Sequence, residues 1–428
     1  MDFLILPNQL FNYKFLDKKY NIILWEHPHF FTKFNFNKKK LLLHRASMKY
    51  YEDYLKKHKF KVKYYTFKDK PKISKECLMF DPIDKIDLGI DMVESPNFIL
   101  TKEDYVEFRK KTDKFFFNSF YNWGKKKKDI IPNIKSKDKD NRLKIPKGLK
   151  IPPVPDNNDE KYIKEAIVYV NKNFSKNYGN TDNFLFPISH KYTYKWLDDF
   201  IKNKFKDFGK YEDAIDKDNN FLFHSLLSSS INKGLINPLD IIEIITKHKK
   251  KIPINSFEGY IRQLFWREYQ RYCYIYIKYG KYNYFGNKGK LNKKWYNGTI
   301  GIEPIDNCIK NAFNTGYLHH IERLMMVGNF MNLSGISSKE GFRWFMEFST
   351  DSYEWVMYQN VMDMVFGDNL KSEYQSMRRP YISSSNYILK MSNYKKGEWC
   401  NEWTKLYHIF LKKHRTKLLP FRYYFRGL

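Results

Sequence analysis

Gly316-Tyr317-Leu318-His319-His320-Ile321-Glu322-Arg323-Leu324-Met325-Met326-Val327-Gly328-Asn329-Phe330 is the stretch around which the rest of the chain can be read. Its spacing predicts a helix that opens at the glycine. His320 and Arg323, three apart, share a face that Met326 and Val327 continue. A histidine beside an apolar stripe is ordinarily a hydrogen-bonded core residue. Two in tandem ahead of an arginine, with tryptophan-rich segments on either side, ask for more, and the chemistry has to come from those neighbours.

Moving outward, the pattern from residue 162 onward stays helical. Amphipathic or aromatic helices are predicted over 162–174, 194–205, 221–236, 238–247, 257–277, 304–333, 338–348 and 402–414, with Pro238 in a first turn. Residues 1–115 read differently. Short apolar runs at 3–6, 21–26 and 61–67 flank a helical pattern at 40–58, and strand–helix–strand with so short a crossover implies a parallel sheet. Ligands of such sheets sit beyond the carboxyl ends of the strands, which singles out the loops 6–10 and 26–31. Neither GxGxxG nor GxxxxGK[ST] occurs there, which argues against a nucleotide-phosphate loop. The fold class is therefore an α/β parallel-sheet (Rossmann-like) domain, 1–115, a connection, 116–185, and a larger all-α domain, 186–428. Between 122 and 159 the Lys125–Lys128 run and the repeated Lys, Asp, Asn and Pro read as a solvated connection.

With 77 Lys and Arg against 47 Asp and Glu, the chain carries a formal charge of +30, a field that draws polyanions, nucleic acid first among them. Lysine enrichment also follows from an AT-rich genome, which fits the abundant Asn, Tyr, Phe and Ile and leaves a viral origin open. The four cysteines (Cys77, Cys273, Cys308, Cys400) form no CxxC pair, against a disulfide scaffold or a zinc site. No apolar run is long enough to span a bilayer. A soluble, intracellular monomer without a bound metal is expected.

Three further segments carry chemistry. Phe223-His224-Ser225-Leu226-Leu227-Ser228 puts hydroxyls at a helix start, where backbone amides and the helix dipole suit a phosphate, although ordinary capping explains Ser225 equally well. Gln263, Trp266 and Arg267 stand at i, i+3 and i+4, a wall on which a planar ring can stack and an anion be clamped, or else a core tryptophan beside a surface ion pair. Phe342-Arg343-Trp344-Phe345 and Asp351-Ser352-Tyr353-Glu354-Trp355-Val356-Met357-Tyr358-Gln359-Asn360 cluster tryptophans that either fill a core or relay an electron.

Taken in order, these strings resemble the photolyase and cryptochrome superfamily, and within it the bacterial photolyase-related branch whose usual members carry an iron–sulfur cluster. The resemblance opens at Leu6-Pro7-Asn8-Gln9-Leu10 and includes Asp140-Asn141-Arg142. It is densest from Phe208-Gly209-Lys210-Tyr211-Glu212-Asp213-Ala214 through Glu258-Gly259-Tyr260-Ile261-Arg262-Gln263 and the histidine stretch, and ends in Arg379-Pro380-Tyr381 and Asn386-Tyr387-Ile388.

The resemblance implies a flavin adenine dinucleotide (FAD) folded inside the helical domain. Tyr211, His224, Ser225, Ser228 and Arg267 match positions on its phosphates. His320, Arg323 and Asp351 match positions around its ring and ribityl chain. Met357 stands where relatives place an Asn or a carboxylic acid near flavin N5, with Asn360 a turn away. The implied reaction is light-driven electron transfer from reduced FAD into a pyrimidine lesion flipped out of double-stranded DNA, with Gln263, Trp266 and Tyr381 facing the lesion. Adjacent His319 and His320 are similar to enzymes of the six-four photoproduct, which is favoured over the cyclobutane dimer, and a histidine there acts as a general acid. Trp344 matches a relay tryptophan, with Trp295 and Phe345 as neighbours. Lys395 and Glu398 replace expected cluster cysteines, so no iron–sulfur cluster is expected. A ribityllumazine or deazaflavin antenna stays open. The competing readings are a cryptochrome-like light sensor that binds FAD without repair, and a basic DNA-binding protein with an empty flavin pocket.

Overall fold

A computed structural model of the protein describes residues 1–156 and 159–425. Five strands, β1 (Asp2–Ile5), β2 (Asn21–Trp25), β3 (Lys61–Tyr65), β4 (Leu78–Phe80) and β5 (Asp91–Val93), form one sheet of order β3-β2-β1-β4-β5 in which every pairing is parallel. β1 and β2 are buried on both faces, which is why they read as continuous apolar runs. β4 and β5, only three residues each, give too short a pattern to be read from sequence. Helix α1 (Lys38–Lys57) supplies the crossover from β2 to β3, its Leu41, Leu42, Met48, Tyr51 and Leu55 buried.

The two loops flagged at the strand ends are engaged by the chain's own groups. Glu26, fully buried, accepts from Arg45 Nη1 (2.9 Å), Tyr64 Oη (2.7 Å) and Tyr169 Oη (2.6 Å). In the loop after β1, Gln9 Nε2 donates to Phe80 O at 2.6 Å and Leu10 N donates to Lys233 O at 2.8 Å, while Lys233 Nζ returns a bond to Pro7 O. The two Lys233 bonds dock the α/β layer on the helix Ser228–Lys233, which carries part of the site.

The stretch read as a solvated connection is more ordered than its composition suggests. Phe117–Lys127 is a helix, and Lys125 at its last turn is buried, its Nζ donating to Ile134 O at 2.5 Å. Glu160–Asn173 is a second helix laid along α1, where Glu165 pairs with Arg45. Lysine runs end helices favourably, because cations complement the negative end of the dipole.

The remaining helices enclose a second core around α2 (Ile254–Tyr276), whose Phe257, Ile261, Leu264, Phe265 and Tyr272 recur at three- and four-residue spacing and are buried. α3 (Glu303–Thr315) and α4 (Ser338–Phe348) lie nearby, the latter with the bounds that spacing predicted. Among the described residues no helix is long and apolar enough to cross a membrane.

Gly234 joins the two halves. It ends the six-residue helix Ser228–Lys233 at φ 84°, and a Cβ there would lie 2.1 Å from Phe11 Cδ1. Gly234→Ala is expected to cost more than the roughly 1–2 kcal/mol of a left-handed L-residue, because the ring of Phe11 must also move. Urea unfolding of the variant measures it.

Candidate functional site

The helical region encloses a cavity of about 390 Å³, within the size range of small-molecule and cofactor sites. Most of its wall comes from three places in the sequence, residues 208–228, α2 and the segment 317–365, with Asp138, Arg142 and Tyr381 completing it.

The histidine stretch forms that wall differently from its spacing. Gly316 does not open a helix. At φ 72° it closes α3, where a Cβ would lie 2.7 Å from Thr350 Cγ2. Tyr317, Leu318 and His319 run outside any helix, and the helix restarts at His320. That break separates the two imidazoles. His319 is buried and lies parallel to His224, with ring centroids 5.1 Å apart and planes at 16°. His320 starts the helix and keeps 42% of its side chain accessible within the cavity, Nε2 3.0 Å from Asp213 Oδ1. From Glu322 to Gly328 the helix widens into π geometry, which is over-represented at functional sites. Leu324, four residues on from His320, lies with it and Arg323 on the wall, while Met326 and Val327 are fully buried outside the lining.

Electrostatically the three histidines divide. Burial holds His224 down to about 3, and burial with the neighbouring His224 and His320 holds His319 well below the ordinary imidazole range. His320 is also disfavoured by burial, but the hydrogen bond and charge of Asp213, with Glu212 behind it, outweigh that and raise its pKa. One imidazole with a raised pKa beside two with lowered ones is the separation expected of an acid in a site. Neither ring nitrogen of His319, nor Nε2 of His224, has a hydrogen-bond partner among the described residues. Buried orphans of this kind cost about 1–3 kcal/mol each, and the carboxylate nearest to His319 Nε2 is Glu322, at 3.6 Å.

Arg323 and Asp351 form an anchor within the wall: Nη1–Oδ1 2.9 Å and Nη2–Oδ2 3.2 Å, with Ser228 Oγ donating to Oδ2 at 2.7 Å and Ser349 bonded to Oδ1. Burial raises the carboxyl of Asp351, yet the charge and hydrogen bonds of Arg323, Ser349 and Ser228 hold it below the usual range. Ser225 Oγ accepts from Tyr260 Oη at 3.1 Å. Ser225 is not in a helix, because 221–227 is a turn with Leu222 and Leu226 at positive φ and the predicted helix 221–236 shrinks to Ser228–Lys233.

On α2, Gln263 and Trp266 line the cavity and Gln270 extends the row. Trp266 stacks on Phe117 at 3.8 Å, and Gln263 Nε2 is bonded to Glu212. Arg267 turns away from them, donating to Asn232 Oδ1 and Asn97 O at 2.8 Å each and lying over Phe98. Tyr211 is also outside the lining, packed on Phe223 in a small separate cluster. Met357, Asn360 and Tyr381 line the cavity. Trp344 stands behind the wall formed by Phe345, with Nε1 donating to Trp295 O at 2.7 Å.

Sequence reasoning assigned no role to the carboxylates that set the site's charge: Asp213 under His320, and Glu212, which accepts from Asn141 (2.7 Å) and Arg262 (3.1 Å). Both sit in a string already singled out, Phe208–Ala214, but their partners are 50 to 107 residues away. A separate cluster of His29, Asp84 and Glu354 converges within 4.8 Å and carries its own cation, Lys33 Nζ, 2.6 Å from Glu354.

Comparison with known proteins agrees with this architecture. The family model described as deoxyribodipyrimidine photo-lyase-related protein matches residues 3–80 and 78–186. A (6-4) photolyase of Agrobacterium fabrum is 34% identical over 299 residues, 66% of this chain, and the match spans 58% of that relative's length. A bacterial class III photolyase from Agrobacterium tumefaciens superposes with a TM-score of 0.60 at 12% identity, covering 91% of this chain and 86% of that one. A Synechocystis cryptochrome superposes with a TM-score of 0.59 at 13% identity, covering 96% and 88%. At such identities the two superpositions speak to the fold alone. A parallel α/β layer docked on a helical domain with a central cavity defines a class of two-domain proteins. The chain has the photolyase/cryptochrome fold.

Proposed function

We propose that the chain is an FAD-dependent photolyase acting on ultraviolet-damaged DNA, with the six-four photoproduct as its preferred lesion. The observation that carries this reading is the histidine triangle at the cavity wall, in which only His320, its Nε2 3.0 Å from Asp213 Oδ1, has its pKa raised, while burial lowers those of His224 and His319. The relatedness to a (6-4) photolyase supports it.

The cavity's lining fits a flavin nucleotide: the imidazoles of His224 and His319, the hydroxyls of Ser225 and Ser228, and the apolar Leu324, Met357 and Val361. Arg323 is held by Asp351, so its role is to fix the wall rather than to neutralise a phosphate by itself. Tyr211 and Arg267 act one layer out, Arg267 by orienting Asn232 at the end of the Ser228 helix. Bound there, reduced FAD supplies an electron on absorbing blue light. His320 holds the proton that the lesion needs: Asp213 occupies Nε2–H, and the proton delivered is the one on Nδ1. Trp266 offers a flat surface to an extruded base, and Gln263 and Tyr381 border it. Extrusion costs a few kcal/mol, less where pairing is already damaged.

The alternative, a light sensor without repair, draws on Met357 in the wall, an apolar thioether where relatives place a polar group. Blue-light turnover of the reduced protein on six-four and cyclobutane oligonucleotides separates them. Repair of the six-four lesion is expected, together with affinity for damaged duplex that falls steeply between about 50 and 200 mM salt. FAD binding with no turnover on either lesion, or binding indifferent to salt, contradicts the reading.

A further inference from the structure

Tyr381 stands in the cavity wall, and the aromatic surface does not end with it. Arg379 Cζ lies over the Tyr381 ring at 5.0 Å and over the Tyr424 ring at 4.7 Å, so one guanidinium bridges the two rings. Tyr424 closes the short 3₁₀ turn Leu419–Tyr424 and is 54% exposed. Its neighbour Tyr423 is 86% exposed, with Arg422 Cζ 5.4 Å from the ring centre. Arg378 reaches over Phe116 at 5.7 Å, and the next residue, Phe117, is the ring stacked on Trp266 of the cavity wall. These arginines differ from those of the cavity in one respect. Arg142, Arg262 and Arg323 each face a carboxylate, whereas among the described residues Arg378, Arg379 and Arg422 form no ion pair. Unpaired guanidiniums set among exposed aromatic faces match a single nucleic-acid strand, which needs a cation for each phosphate and a flat ring for each base. An acidic peptide would satisfy the guanidiniums and leave the tyrosine faces unused.

We propose that Tyr423, Tyr424 and Arg379 form a stacking platform for an unpaired base beside the extruded lesion, with Arg378 and Arg422 on the flanking phosphates. The inference rests on the photolyase reading above, which supplies the damaged strand, and adds where that strand goes once the lesion has left the stack. Extrusion strips the neighbouring base of a stacking partner. Tyr424 offers a replacement one guanidinium away from the cavity wall. The platform thereby lowers the cost of opening the duplex at the lesion. It does nothing for an intact duplex, whose bases already have both faces covered. Its aromatic part therefore serves discrimination, and its guanidiniums serve affinity for any DNA.

The test measures binding of the full, FAD-loaded chain in the dark, by fluorescence anisotropy, to a six-four duplex and to the same duplex undamaged. Tyr424→Ala is expected to weaken binding to the damaged duplex by roughly 5- to 150-fold, the range for one base that loses its aromatic partner. Flavin content and affinity for the undamaged duplex are expected to stay as they were. Tyr424→Phe is expected to bind like the unaltered chain, because the ring face makes the contact and the hydroxyl does not. Arg422→Gln is expected to weaken both duplexes alike and to reduce the slope of log affinity against log salt by about one. A 5-iodouracil placed beside the lesion is expected to cross-link to Tyr424 or Tyr423 under near-ultraviolet light. Should Tyr424→Ala not fold, Tyr423→Ala takes its place, with loss again expected on the damaged duplex alone. Equal loss on both duplexes, loss on neither, a Tyr424→Phe as weak as the alanine variant, or a cross-link confined to other residues overturns the inference. Light-driven repair by the unaltered chain then leaves the parent reading standing. An unaltered chain that neither prefers damaged DNA nor repairs it overturns both.

Discussion

Asp351→Ala is expected to destabilise the protein by about 3–5 kcal/mol and to abolish ligand retention in the cavity. The carboxylate receives both Nη groups of Arg323 as well as Ser228 and Ser349, and the two charged side chains are only 11% and 15% exposed. A buried pair of this kind contributes little net stability when intact, because desolvation offsets attraction. Removing one partner is another matter, since the guanidinium is then left buried without a counter-charge. Ser228, whose hydroxyl donates to the same carboxylate, loses its partner at the same time, while Asn232 Nδ2 keeps its bond to the Asp351 main-chain oxygen. Urea unfolding checks the magnitude. A loss below about 1 kcal/mol, the value of an exposed pair, would mean that water reaches the site freely. The pH dependence has a definite sign. Since the folded carboxyl is held below its ordinary 3.8, its contribution is fully present above that value and is lost as pH falls through the depressed one.

His320→Ala is expected to lower light-driven repair by roughly 10²–10⁴-fold, the usual contribution of a positioned general acid, while flavin content stays unchanged. The imidazole is accessible within the cavity and its removal leaves Arg323, Asp351 and His224 in place, so binding and turnover separate. Because Asp213 raises its pKa above 6.5, turnover should hold through that pH and decline only as pH rises through the raised value. Asp213→Asn should move the decline to lower pH. Full turnover by His320→Ala on the six-four lesion would remove the proton-donor assignment, and a variant that loses its flavin would make His320 a cofactor residue instead.

Local signals were sufficient for much of the architecture. The parallel arrangement of β1, β2 and β3 follows from apolar runs bracketing α1, and α4 follows from Ser337, which caps it, and its apolar period. The histidine stretch shows where local reading stops. Gly316 looks like an opening to a helix because helical residues follow it, yet glycine is the residue best suited to the left-handed turn that closes the helix before. The π widening after Glu322 has no signature in the sequence, and Met326 and Val327 lie off the wall. In the same way Arg267 shares a helix face with Gln263 by spacing, but it sits at its edge, where Asn232 and Asn97 offer nearer partners than the cavity. Pairings such as His320 with Asp213, 107 residues apart, are made by the tertiary fold. Their strings were conspicuous, and the contact was not.

Everything proposed depends on a flavin seated between the Ser228 helix, α2 and the histidine segment. The most direct test is the absorbance of the purified full chain after incubation with FAD and gel filtration, with the flavin released by denaturation and counted. The expected result is a stoichiometric, non-covalent FAD that Asp351→Ala fails to retain. A colourless protein that takes up no added FAD would contradict it.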